Sequence, residues 1–196
     1  LQFTFADISE AHDAIGLTAT SGVIITIPQR DGTRLDYELD GKTAFIDQSL
    51  VAENQIGRLN FTMMHEAAHQ LFWMLYPEEY EVQTPRCVFR MADEHTQYPV
   101  LNWEEWQTNV LTSYLLLPKE LVYRHMADVG LKDGVSVLNR IYARKDYERF
   151  SEAAKRLGVS KTALTIRLSQ LGLVGRNDLY DPYALVDIFP EKNEIA

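Results

Sequence analysis

A chain of 196 residues, 46% hydrophobic and 24% charged, holds enough apolar material for one compact domain with at most a small appended module. Its formal net charge of −9 argues against nucleic acid as the main partner, because phosphate binding needs a positive surface. A single cysteine, Cys87, excludes an intramolecular disulfide and a thiolate-rich zinc finger.

No run of about 18 apolar residues is present to span a membrane. The opening Leu1-Gln2-Phe3-Thr4-Phe5 has neither the basic start nor the apolar stretch of a signal peptide, and a start at Leu rather than Met is what a trimmed chain shows. The cytoplasm is the expected compartment.

In chain order, residues 6–16 read as a short helix ending at Gly16. Val23-Ile24-Ile25-Thr26-Ile27 is rich in β-branched residues and reads as a strand. Asp31-Gly32 is a turn signal, and Leu35-Asp36-Tyr37-Glu38-Leu39 alternates as a half-buried strand should. Asp40-Gly41 turns again into Thr43-Ala44-Phe45-Ile46-Asp47. Three short strands joined by tight turns predict a small antiparallel sheet.

From Ala52 to Leu75 the period becomes helical, with Phe61, Met64, Ala68, Leu71, Phe72 and Leu75 on the stripe expected to pack on the sheet, and Pro77 ends it. Residues 76–102 carry no clear period, and Pro77, Pro85 and Pro99 interrupt them; a connection that long reads as a lid or binding loop. A second helix spans Trp103 to Leu117 and is stopped by Pro118. Further helices continue to residue 172, and Ala184-Leu185-Val186-Asp187-Ile188 reads as a last short strand. The fold class is therefore α+β: a small sheet on one long helix, then a mainly helical C-terminal part.

The long helix carries His65-Glu66-Ala67-Ala68-His69. Histidines four apart share a helix face and can bind one zinc ion at roughly 2.0–2.1 Å each. Glu66 sits beside the first ligand, turned from the ion but near enough to serve it. Zinc acidifies water, and a carboxylate so placed takes the proton as the oxygen attacks a peptide carbonyl.

A catalytic site needs a third protein ligand and an open fourth position. His95 and His125 do not stand at the short spacing of a third histidine. Glu105, in Trp103-Glu104-Glu105-Trp106-Gln107-Thr108-Asn109, is the better candidate, with Glu104 its competitor; periodicity does not separate the two. Asn109, four residues past Glu105, shares its face and could hydrogen-bond a ligating imidazole.

The run Glu105-Trp106-Gln107-Thr108-Asn109-Val110-Leu111-Thr112-Ser113-Tyr114-Leu115-Leu116-Leu117-Pro118 resembles the second signature of the ImmA/IrrE family of zinc metallopeptidases, Glu-x-x-Ala-Asn-x-Phe-Ala-x-x-Leu-Leu-Met-Pro. Thr108, Leu111, Thr112 and Leu117 depart from it at packing positions. The resemblance covers roughly residues 20–175. It implies a gluzincin-like site with Glu105 as third ligand, a strand ahead of the motif helix (a place suited to Ala44-Phe45-Ile46-Asp47), and narrow cleavage of a protein such as a transcriptional repressor.

The stretch between His69 and Glu105 exceeds the family's spacing and contains Cys87, His95 and Tyr98. Cys87 is either a buried small hydrophobe or a thiolate that caps the open metal position and holds the enzyme latent. His95 or Tyr98 either stabilises the developing oxyanion or lies at the surface.

Residues 150–173 read as a helix, a Gly158 turn, a Ser160-capped second helix and a Gly172 stop, a pattern that resembles a helix-turn-helix. Between Arg149 and Arg176 there are six basic residues and one acidic one, so weak DNA contact by the second helix stands against packing on the peptidase core and against docking of a repressor substrate on this face. The expected division is residues 1–145 as the metallopeptidase domain and 146–196 as a helix-turn-helix-like helical module and tail packed on it.

Overall fold

The computed structural model describes residues 1–8, 14–20, 22–29, 31–80, 87–91 and 103–180. The architecture is α+β, with small sheets and helices in one chain and a helical C-terminal part. Among the described residues no helix is long and apolar enough to cross a membrane.

Five strands come first: β1 (Gln2–Ala6), β2 (Ala14–Ala19), β3 (Gly22–Pro28), β4 (Arg34–Asp40) and β5 (Thr43–Asp47). The short helix expected over 6–16 is not formed at its two ends: Ala6 closes β1, and Ala14 to Gly16 belong to β2. All six residues of β2 are buried, a two-sided burial that removes the alternation by which a strand is read. Residues 9–13 lie outside the described residues.

The expected three-strand antiparallel sheet is also redistributed. β3 and β4 pair antiparallel in register from Gly22↔Asp40 to Pro28↔Arg34, a separate two-stranded ribbon. β5 instead pairs parallel with β1 and antiparallel with β2. The four-stranded sheet is mixed, in the order β1-β5-β2-β6, where β6 is Cys87–Met91. Part of the expected 76–102 loop is thus an edge strand on β2.

Asp47 ties this sheet to the next stretch of chain. It is 1% exposed; Oδ2 accepts from Ile8 N at 3.0 Å and Oδ1 from Ser49 N at 2.9 Å, capping a 3-10 turn at Gln48–Val51. A second turn, Glu53–Gln55, leads into helix α1, Ile56–Leu75.

The sheet packs on both faces. Leu17, Ala19 and Phe45 meet Ile27 and Leu39 of the ribbon, while Ile15 and Ile46 meet Leu50, Leu59 and Met63 on the helix side. Ile15 and Gly16, although consecutive, both face α1, because the β2–β6 register shifts between Ala14 and Gly16 as a bulge does.

The rest is mainly helical: α2 (Trp103–Leu116), α3 (Lys119–Asp128), α4 (Arg144–Leu157) and α5 (Lys161–Gln170). Two four-residue strands, β7 (Val135–Leu138) and β8 (Val174–Asn177), pair parallel and were not anticipated. One core runs through Leu117, Val122, Met126, Leu138, Phe150, Leu164 and Leu168, so residues on both sides of position 145 share it. Asn139, fully buried, donates to Asp178 Oδ2 at 3.2 Å and closes the β7–β8 pair. Residues 184–188 lie outside the described residues.

Helix α4 ends at the left-handed Gly158 (φ 65°), and Ser160 Oγ accepts from Ala163 N at 3.1 Å to start α5. This turn rests on the first turn of α1. A Cβ at Gly57 would lie 2.5 Å from Ser160 N and 2.6 Å from Val159 C, and Asn60 Nδ2 donates to Gly158 O at 2.8 Å.

Candidate metal centre

The buried face of α1 is not the predicted apolar stripe. Thr62, His65, Glu66, Ala68, His69 and Trp73 are buried, whereas Phe61, Met64, Leu71 and Phe72 are only partly covered and Leu75 is exposed. A helix that turns polar groups inward must give them partners. For His65, His69 and Trp73 the partners come from α2, which crosses α1 antiparallel: Glu104 meets Trp73 and His69, and five residues later Asn109 meets His65.

His65 Nε2 lies 3.2 Å from Glu105 Oε2, His69 Nε2 lies 3.1 Å from Glu105 Oε1, and the two Nε2 atoms are 3.1 Å apart. Donor atoms held about 2.0–2.1 Å from one tetrahedral ion stand about 3.3–3.4 Å from each other. Two imidazoles and a carboxylate at that spacing fit a metal ion, and among the described residues they form the group that could hold one. Both histidines are fully buried; Glu105 is 25% exposed and marks the side open to solvent.

The ambiguity between neighbouring glutamates is resolved by this geometry. Glu105 reaches both Nε2 atoms, while Glu104 Oε1 accepts from Trp73 Nε1 at 2.8 Å and stands 3.6 Å from the opposite edge of His69, at Nδ1. Asn109 Oδ1 is 3.2 Å from His65 Nδ1, and Thr108 Oγ1 is 3.3 Å from His69 Nδ1.

Protonation is set by these contacts. Burial disfavours the His69 imidazolium, but the Glu104 and Glu105 carboxylates, aided by the charge of Glu66, outweigh it and raise its pKa to about 9. Burial favours the neutral acid of Glu105, yet hydrogen bonds from His65 and His69 outweigh that and hold its carboxyl far below the usual carboxylate range.

Glu66, fully buried, lies against β2 at Gly16, and its charge is felt at His69. No protein-family model matches the chain, and no curated protein matches it in sequence. The centre is therefore read from its own geometry.

Several contributors carry little local sequence signal. Gly16 reads as a helix stop, Trp73 lies off the apolar stripe, and Thr108 stands only as a packing substitution. The spacing 104–108, one turn on the face of Glu104, is the signal that would have linked Thr108 to Glu104. Cys87 opens β6 opposite Ala19 in the register. Its side chain, like His95 and Tyr98, lies outside the described residues. His125 sits on α3, in the helical part.

The basic stretch between Arg149 and Arg176 is largely engaged within the chain. Arg156 Nε pairs with Glu152 at 2.8 Å, Arg176 Nε with Asp178 at 2.8 Å, and Lys161 Nζ donates to Tyr147 Oη at 2.9 Å. Arg167 is 3% exposed: Nε donates to Leu117 O at 2.9 Å, and its guanidinium lies 4.1 Å from the Tyr114 ring centre.

Proposed function

We propose that this chain is a zinc-dependent endopeptidase, a hydrolase with a narrow protein substrate such as a transcriptional repressor of a phage, mobile-element or stress-response system. One observation carries the reading: two imidazole nitrogens and the Glu105 carboxylate converge within 3.2 Å, and the helix that bears both histidines also buries Glu66 beside them. Two histidines, one glutamate and an open position make a catalytic set, and a purely structural site has no use for Glu66.

Zinc, when bound, supplies Lewis acidity toward a peptide carbonyl and toward water. Glu66 takes the proton of the attacking water and passes it to the leaving amine. Asn109 keeps the His65 ring turned toward the ion. Because Glu105 is the solvent-facing member of the set, a peptide enters on its side. The repressor substrate and the cytoplasmic setting rest on the ImmA/IrrE resemblance, since such cleavage takes place where repressors act.

A DNA-binding or protein-docking regulator with a non-catalytic zinc site has less support. DNA contact would draw on the basic residues of α4 and α5, and several of these are already paired or buried. Elemental mass spectrometry of protein purified without chelators should find about one zinc per chain. Glu66→Gln should keep that zinc and abolish cleavage of a repressor substrate; cleavage surviving in this variant refutes the assignment of Glu66.

A further inference from the structure

The two imidazoles of the centre are backed by different chemistry. Behind His65 stands a neutral amide, Asn109 Oδ1, 3.2 Å from Nδ1. Behind His69 stand the Thr108 hydroxyl at 3.3 Å and the Glu104 carboxylate at 3.6 Å from Nδ1.

The Thr108 hydroxyl proton is already committed, because it is donated to the backbone carbonyl of Glu104 at 2.8 Å. Its oxygen can only accept from His69. Nδ1 of His69 therefore carries the proton, and Nε2 offers its lone pair toward the ion.

Glu104 is fixed in turn. The Trp73 indole N–H donates to the same Oε1 at 2.8 Å, and the Trp73 ring lies 5.5 Å from that of His69. Trp73 is 4% exposed and the Glu104 side chain 12%. A carboxylate so far from water acts on its neighbour through a much lower dielectric than a surface group does.

We propose that Glu104 is a positioning residue of the metal centre: held by Trp73, it sets its negative charge against the Nδ1 edge of His69, where Thr108 takes the hydrogen bond, and tightens metal binding through that ring. This rests on the reading of the site as a metal centre. A carboxylate behind a ligating imidazole fixes the ring and makes it a stronger donor, and losing such a partner typically weakens metal binding about 10- to 100-fold. Trp73 belongs to the same device one step further out, so its contribution passes through Glu104.

The test is a zinc titration of the full chain against a chromogenic chelator, with the visible spectrum of the cobalt-substituted protein as second readout. Glu104→Gln keeps the acceptor for Trp73 and removes the charge. It should weaken zinc binding about 10- to 100-fold and shift the cobalt bands, with the circular dichroism of the fold retained.

Glu104→Asp, which keeps the charge but withdraws it by one methylene, should fall between. It serves if the glutamine variant does not fold. Trp73→Phe should also weaken binding, and the double variant should bind no more weakly than Glu104→Gln alone. Wild-type affinity with an unchanged cobalt spectrum in Glu104→Gln overturns the proposal, as do losses that simply add in the double variant. A wild-type chain that binds no zinc overturns the metal-centre reading itself, and the proposal with it.

Discussion

Gly16 of β2 leaves the space that the Glu66 carboxylate of α1 occupies. A Cβ built at Gly16 overlaps Glu66 Oε1 and comes within 2.8 Å of Thr62 Cγ2. The β2 bulge turns this position toward the helix, so the strand and the glutamate are fitted to each other.

Gly16→Ala should therefore act on Glu66 without touching a ligand. The forced shift costs about 1–3 kcal/mol of stability, the usual range for overpacking. Zinc content should stay near one per chain while cleavage falls with the displaced carboxylate. Thermal melting, metal analysis and a cleavage assay on one preparation check this; a variant that cleaves at the wild-type rate shows that the carboxylate has room elsewhere.

The pKa of His69, raised to about 9, would set how the affinity of the proposed zinc site depends on pH. Without metal the ring holds an extra proton at neutral pH, and binding must expel it. Affinity should rise about tenfold per pH unit from neutrality to about pH 9 and level off above, as one proton ceases to compete. Calorimetry in buffers of different ionisation enthalpy counts the proton directly. Zinc binding near neutral pH with no proton released contradicts the charged ring.

Gly57 touches the turn between α4 and α5, with backbone atoms of Val159 and Ser160 where a Cβ would go. Backbone cannot rotate away as a side chain can. Gly57→Ala should cost about 1–3 kcal/mol, or roughly 2–4 °C of melting temperature per kcal/mol in a chain of this size. An unchanged melting temperature means the turn is not seated on α1 in solution.

Arg167 makes a further contrast between packing and DNA contact. Its guanidinium is buried against Leu117 O and the Tyr114 ring. Arg167→Ala should destabilise by about 1.5–3 kcal/mol, the cost of a charged hydrogen bond, and leave any retention on DNA at moderate salt unchanged. Weaker retention with full stability would mean that this side chain faces the phosphates after all.

Local signals carried the parts of this molecule that are locally determined. Helix spacing put His65 and His69 on one face, Pro118 marked the end of α2, and Gly158 with Ser160 marked a turn that closes as expected. What local signals do not carry is pairing across the chain. β5 beside β1, β6 beside β2 and the four-residue β7–β8 pair are decided by burial against partners far away in sequence.

The site reversed the usual hydrophobic rule as well. Because α1 buries its polar stripe, the apolar stripe pointed to the less buried face. Glu104 and Glu105 could be told apart only once α2 was set against α1, where one meets Nδ1 of His69 and the other meets both Nε2 atoms.

The antiparallel crossing of α1 and α2 also sets a schedule. His69 and Glu105 are 36 positions apart, so a chain leaving the ribosome presents both imidazoles well before the carboxylate that completes the set. β6, which lies between them in sequence, must pair with β2 from the start of the chain, and pairings so distant in sequence form slowly. The nascent polypeptide therefore carries a pair of nitrogen donors that lacks its oxygen partner. A metal ion that needs all three donors would thus be taken up by the finished fold, after α2 has docked.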